Sequence, residues 1–225
     1  MDIHRPKSVE TWREFAKEVG VIVLGVCIAL AGEQAVEWIH WSHEIAETRD
    51  ALDKEVAYNL GAMRMRQQEA VCIDRRLEQL RVLLRRPAGQ APAPRPPLGQ
   101  PQLWRPRTNV WQAALAGQVA ARMPLQMRLG YAQIYDGFQW YGQKAADESE
   151  AWGALGVLDD VDVLGPEDLA ALRQAHSRAQ VAADKMTGNL PGILAAGARL
   201  GVKPAVMQPS AKTAASLKSL CAPAT

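Results

Sequence analysis

The spacing of apolar residues separates an uncharged run near the N-terminus from a series of amphipathic segments behind it. Residues 19–32 carry no charged side chain. As a helix, this run covers ~21 Å, which is less than the ~30 Å hydrocarbon core of a bilayer. Its length alone fits a core helix, an interfacial helix, the apolar part of a signal peptide or a transmembrane helix.

Aromatic residues on both sides of the run favour a transmembrane helix. Trp12 and Phe15 precede the run, and Trp38 and Trp41 follow it. On one helix, Trp12 and Trp38 would lie ~39 Å apart, close to the ~40–45 Å between the two headgroup layers. We therefore predict a transmembrane anchor over residues 19–41. Its membrane-interface residues are Trp12, Trp38 and Trp41.

Basic residues predict the orientation of this anchor. Four of them precede the run and one follows it before residue 50: Arg5, Lys7, Arg13, Lys17 and Arg49. Because Lys and Arg concentrate on the cytoplasmic side of a membrane helix, residues 1–18 are predicted to form a cytoplasmic tail. The part that follows the anchor is then exported to the periplasm.

A cleaved signal peptide is the alternative to an anchor. Ala29 and Ala31 give the segment before Gly32 the small-x-small form that signal peptidase accepts. The product would be a secreted helical domain. The apolar and aromatic residues from Ala35 to Trp41 extend the helix past this cut, and they favour an uncleaved anchor.

A stripe of small residues on the anchor predicts self-association. Gly25, Ala29 and Gly32 repeat at spacings of four and three, so they share one helical face with Val36. Small residues on one face allow the backbone of a second membrane helix to approach closely. The stripe therefore predicts helix packing within a homo-oligomer.

Glu33 is a carboxylate close to the predicted membrane boundary, which makes it a possible functional group. Three interpretations remain open. It lies at the headgroup level and faces water, it makes an interhelical hydrogen bond, or it serves proton or ion movement beside a membrane complex.

The helix is predicted to continue beyond the anchor. Apolar residues recur at spacings of about three and four, including Ile45, Leu52, Val56, Met63, Ala70, Ile73, Leu77, Leu80 and Leu84. No proline interrupts residues 7–86. We predict a long periplasmic helix over residues 42–86, with Gly61 as a candidate kink that would divide it into two helices.

A proline-rich segment follows the long helix. Residues 87–107 contain seven prolines, which remove backbone donors and fix φ. Neither a helix nor a sheet strand can run through them. The segment is predicted to be a linker of disordered or polyproline character.

Residues 108–225 are predicted to form a helical domain that packs with the long helix. Helices are expected to start at Thr108 or Asn109, at Pro124 and at Gly165-Pro166. The third of these is expected to stop at Gly188-Asn189. A last short helix is expected over Pro191–Leu200. No segment alternates like a strand. The predicted fold class is all-α, an antiparallel helical bundle.

Charge and motifs limit the functional classes. A net charge of +2 is too small to indicate a nucleic-acid partner. The chain has no P-loop, dinucleotide fingerprint, CxxC or GxSxG motif, so we predict no catalytic residues and no cofactor. Glu37 and His40 have the Glu-x-x-His spacing of carboxylate di-metal bundles, which makes them candidate metal ligands. A second copy of the motif is missing, and a hydrated face beside the membrane explains the pair as well.

The three cysteines predict one disulfide. Cys27 lies within the apolar run, where a thiol behaves as a small hydrophobe. Cys72 and Cys221 remain in the exported part, and two thiols in an oxidising periplasm usually pair. Pairing between chains is the alternative, and free thiols are expected if the domain is cytoplasmic.

The segment EFAKEVGVIVLGVCIALAGEQAVEW, residues 14–38, resembles the N-termini of uncharacterised single-pass inner-membrane proteins of Gram-negative bacteria. The resemblance implies an uncleaved anchor and a helical exported domain.

The chain is therefore expected to be a membrane-anchored periplasmic interaction or scaffold protein that self-associates. Its expected partners are membrane lipid, further copies of itself and an unidentified membrane complex. The second hypothesis is an accessory subunit that uses Glu33 in ion or proton movement.

Overall fold

The computed structural model describes residues 12–89, 97–161 and 163–222. The helices are α1 (Trp12–Leu84), α2 (Asn109–Ala116), α3 (Val119–Arg122), α4 (Leu125–Leu155), α5 (Pro166–Arg199) and α6 (Ala211–Cys221), with a 3₁₀ turn over Gly156–Asp159. No β-strand occurs among these residues, so the predicted all-α fold is confirmed. The chain divides into two compact units, one ending at Glu47 and one beginning at Thr48.

The described part of the N-terminal unit is the first part of α1, from Trp12 to Glu47. Every residue from Trp12 to His40 is exposed. An 18-residue window of α1 has a mean hydropathy of 2.1, and none of that window is buried. Within the described ranges, α1 is the one helix that is long and apolar enough to cross a membrane.

The second unit is built on the buried face of α1 between Leu52 and Leu84. Apolar residues of this face include Leu52, Val56, Leu60, Met63, Ile73, Leu77, Leu80 and Leu84. A core cluster joins the end of this face to Trp152 and Leu155 of α4, to Leu172 of α5 and to other buried residues. Hydrogen bonds reinforce the contact with α5, because Nε2 of His176 donates to the Leu77 carbonyl at 2.8 Å.

Gly61 does not end or divide α1, which continues through this position as one helix. The glycine instead permits close contact with the segment that follows α5. A Cβ at Gly61 would lie 2.5 Å from the carbonyl oxygen of Ala205. The amide of Ala205 donates to the carbonyl of Ala57 at 2.8 Å, which fixes the two backbones beside each other.

Helix α5 begins where the sequence predicts, but it does not stop at Gly188-Asn189. At its start, the side chain of Asp168 accepts a hydrogen bond from the Gly165 amide at 2.9 Å. The predicted stop is wrong, and the expected last short helix is the end of α5, with Pro191 inside it. Met186 and Leu190 are fully buried on either side of the stop, so packing of this continuous face outweighs the local helix-breaking signals.

Residues 97–107 contain no helix, as their prolines require, yet they are attached to the helices. Leu98 is buried, and its amide donates to Asp159 at 2.7 Å. The side chain of Asn59 donates to the Arg107 carbonyl at 2.7 Å and accepts from the Arg107 amide at 2.9 Å. These described residues form part of the packed unit.

The predicted disulfide is present. Cys72 of α1 and Cys221 of α6 are bonded across a sequence separation of 149 residues, with their Cα atoms 4.7 Å apart. Beside the bond, Nη2 of the buried Arg76 donates to the carbonyls of Ser219, at 2.5 Å, and of Ala222, at 2.9 Å. The guanidinium thus satisfies carbonyl groups at the end of α6.

Replacing Gly61 by alanine tests the close backbone contact. We expect Gly61→Ala to lower the free energy of unfolding by about 1–3 kcal/mol, because the added methyl overpacks against a backbone oxygen that cannot move freely. Gly188 is the matched control, since a Cβ there would meet no neighbouring heavy atom within 4 Å. Gly188→Ala should raise stability by about 0.5–1 kcal/mol. Urea denaturation of the full chain in detergent measures both changes, and equal stability of the two variants would contradict the contact.

Candidate functional site

The aromatic residues predicted at the membrane interfaces lie on the N-terminal unit. Trp12 and Trp38 are exposed, and Trp41 is half-buried. The indole nitrogen of Trp41 donates to Oε1 of Glu37 at 3.2 Å, one turn earlier on the helix. That these tryptophans lie at the membrane interfaces stays a prediction.

The small-residue stripe is accessible. Gly25, Ala29 and Gly32 are all exposed on α1. A Cβ added at Gly25 or Gly32 would meet no neighbouring heavy atom within 4 Å. The structure therefore leaves room for another helix against this face, which is what the predicted packing requires.

The candidate polar residues of the N-terminal unit occupy one exposed stretch of helix. Glu33, Glu37 and His40 are exposed on α1. Across the described ranges, no group of three or more His, Cys, Asp or Glu side chains is arranged to hold a metal ion. Glu37 instead accepts the hydrogen bond from Trp41.

Sequence reasoning missed a group of buried polar residues in the second unit. Arg66 and Glu69 of α1 and Tyr141 and Glu148 of α4 are each at most 3% exposed. We call these four residues the core charge cluster. Nη2 of Arg66 donates to Oε1 of Glu148 at 2.8 Å, which joins the two helices through a buried ion pair.

A signal for this cluster was present in the sequence. The buried face of α1 runs Met63, Arg66, Ala70, and the buried face of α4 runs Ala145, Glu148, Trp152. In both helices, a charged residue occupies a position that the spacing of three and four assigns to the apolar face. Two opposite charges that interrupt two buried faces are expected to pair when those faces meet.

Burial within the cluster raises the pKa of both carboxyl groups. Burial raises the pKa of Glu148, and the adjacent Arg66 opposes this rise. Burial also raises the pKa of Glu69, while the backbone amide of Gln102 and the charge of Arg66 partly offset it. The pKa of Tyr141 is raised too, chiefly by burial, so its phenol stays protonated.

A second polar network attaches the start of α2 to α1. Glu55 of α1 accepts hydrogen bonds from the Tyr135 hydroxyl at 2.7 Å and from the Val110 amide at 3.2 Å. The hydroxyl of Tyr131 donates to Asp53 at 2.5 Å. Burial and the neighbouring Glu55 raise the pKa of Tyr135. The two tyrosines therefore act as neutral donors that fix α4 against α1.

An open groove of about 470 Å³ lies beside this network. The ring of Trp111 stacks on that of Tyr135, with centroids 5.4 Å apart and planes inclined by 9°. Arg105, Asp136 and Gln139 are exposed along its edge. The groove offers an aromatic surface with polar groups beside it.

The chemistry available to the core charge cluster is limited by its burial. Its residues are closed off from solvent, so no substrate of appreciable size reaches them. A proton or an internal water molecule is the kind of ligand that such a site accepts.

No protein-family model, curated protein or solved structure matches this chain.

Removing one member of the buried ion pair should be costly. We expect Arg66→Met to lower the free energy of unfolding by about 3–5 kcal/mol, because Glu148 is left without its buried counter-charge. The double variant Arg66→Met with Glu148→Leu should recover part of this loss. Urea denaturation of the full chain measures both values.

The surface pair of Arg178 and Glu150 is the matched control for this experiment. Like the buried pair, it joins two helices: Arg178 of α5 lies 2.9 Å from Glu150 of α4. Both of these side chains are more than half exposed. Arg178→Met should cost about 0–1 kcal/mol, since water screens an exposed pair. Equal losses for Arg66→Met and Arg178→Met would show that the buried pair contributes no more than the exposed one.

Proposed function

We propose that this chain is a single-pass bacterial inner-membrane protein whose helix α1 anchors a periplasmic helical unit. The observation that carries the proposal is that α1 bears both an exposed apolar segment and Cys72 of the disulfide. The apolar segment needs an apolar environment, and the disulfide needs an oxidising compartment. The periplasmic face of an inner membrane meets both requirements.

The exported unit acts as an interaction or scaffold module. Buried ionisable residues of this unit hold helices together, as Arg66 and Glu148 do between α1 and α4. Open surfaces of the described residues include the small-residue face of α1 and the groove beside Trp111. Self-association through the face of Gly25, Ala29 and Gly32 gives this module its first partner, another copy of the chain.

Thiol labelling in a Gram-negative host tests the topology. In a Cys27→Ala background, Ser177→Cys should react with a membrane-impermeant maleimide in spheroplasts, because Ser177 lies on the exposed surface of α5. Ser8→Cys should react only after the membrane is dissolved. Cys72 and Cys221 should stay unlabelled in both proteins until a reductant is added.

Other outcomes of this experiment identify the alternatives. Labelling of Ser8→Cys alone would reverse the orientation and contradict the periplasmic assignment. A mature protein that begins at Gly32 would identify a cleaved signal peptide and a secreted domain. Cys72 and Cys221 both free in the native protein would place the unit in a reducing compartment.

Replacing small residues of the stripe by leucine tests self-association. Gly25→Leu with Gly32→Leu should shift detergent-stable oligomers toward monomers, because the larger side chains keep a second backbone away. Chemical cross-linking in membranes, read by electrophoresis, measures the distribution. Gly20→Leu is the matched control: Gly20 is also exposed with no neighbour within 4 Å, but it lies ~140° around the helix from Gly25.

Oligomers that resist the double substitution, or that are lost equally in the Gly20→Leu control, would exclude this face as the contact. A protein that is monomeric before any substitution would contradict the self-association itself.

A further inference from the structure

The core charge cluster contains more acidic groups than its single cation can neutralise. Arg66 faces two buried carboxyl groups, Glu69 on its own helix and Glu148 on α4. If both were ionised, a net negative charge would lie in the interior of the unit. An unneutralised buried charge is strongly disfavoured, and such groups usually take up a proton instead.

Hydrogen bonds distinguish the two carboxyl groups. Glu148 accepts a bond from Nη2 of Arg66 at 2.8 Å. Neither oxygen of Glu69 accepts a hydrogen bond of good geometry, and Nε and Nη1 of Arg66 also lack partners. Glu148 is therefore the carboxylate that Arg66 neutralises, and Glu69 is the one left without a direct counter-charge.

We propose that the cluster of Arg66, Glu69 and Glu148 is a proton-binding site that holds one proton at neutral pH, on the carboxyl group of Glu69. The proton comes from solvent and converts the carboxylate of Glu69 to a carboxylic acid. The interior then contains one positive and one negative charge. The acid also gains an O–H group that can donate a hydrogen bond.

The groups that surround Glu69 among the described residues support this assignment. Arg66 is the cation on its own helix, and Glu148 and Tyr141 are the ionisable groups from α4. Residues 97–107 contribute the backbone amide of Gln102. Burial has the largest effect on the pKa of Glu69 and raises it, and the charge of Glu148 raises it further.

A bound proton makes the stability of the unit depend on pH. The unfolded chain loses the Glu69 proton near its ordinary pKa of 4.5, whereas the folded protein keeps it to a higher pH. Between these values the folded state binds more protons, so its stability falls as the pH rises. The contribution is complete below the unfolded pKa and is lost as the pH passes the raised, folded pKa.

Infrared spectroscopy of the full chain in detergent detects the proton directly. A protonated carboxyl group has a carbonyl stretch above the amide I band, where ionised carboxylates do not absorb. The wild-type protein at pH 7 should show this band. Glu69→Gln should lose it, and Glu148→Gln should lose it as well, because Arg66 is then free to neutralise Glu69.

Two further variants complete the test. Arg66→Met should strengthen the band, since both carboxyl groups then need a proton. Glu78→Gln is the control on the same helix; Glu78 is exposed and its pKa is lowered by a hydrogen bond from Arg81, so the band should remain. Absence of the band in the wild type, or its survival in Glu69→Gln, would overturn the proposal. The wild-type spectrum decides even if a variant does not fold.

Discussion

The packing of the second unit depends on covering one face of α1. From Leu52 to Leu84, this helix presents a nearly continuous row of buried side chains, and described residues of α4, α5 and α6 contact it. Helix α4 reaches it through Glu148, α5 through His176 and α6 through Cys221. A long amphipathic helix cannot bury its own apolar face. The hydrophobic effect therefore favours packing of other helices against it.

The charges within this face supply geometric restraint. Rows of Leu and Ala with helical spacing pack almost as well after one helix slides past the other by a turn. A buried guanidinium and a buried carboxylate can meet in one alignment only, and any other leaves both without a counter-charge. The bond between Arg66 and Glu148 thus adds a specific contact between α1 and α4, whereas the apolar residues provide most of the favourable free energy.

Much of the fold was predictable because its signals are local. The start of α5 at Pro166, the start of α4 after Pro124 and the helical character of α1 follow from residue types at fixed spacings. The pairing of Cys72 with Cys221 followed from elimination, since Cys27 lies in the apolar run. These inferences need no knowledge of which surfaces meet.

The features that the sequence did not predict depend on contacts between distant segments. A glycine within a helix, such as Gly61, predicts a kink. The role of Gly61 instead follows from its close contact with Ala205, which is 144 positions away. Pro191 and Gly188 suggest a helix end, and only the buried faces of Met186 and Leu190 explain why α5 continues. The core charge cluster similarly requires knowing that α4 covers α1, although Arg66 and Glu148 both interrupt apolar faces.

The disulfide between α1 and α6 also has a consequence for the order of events during synthesis and export. In a chain that crosses a membrane after its N-terminal helix, Cys72 enters the oxidising compartment long before Cys221, because 149 residues separate them. Every other described helix of the second unit must be delivered before the bond closes. If the second unit is exported as proposed, Cys72 is accessible to the cell's thiol oxidoreductases throughout this interval, and the disulfide closes only after the last helix has reached the first.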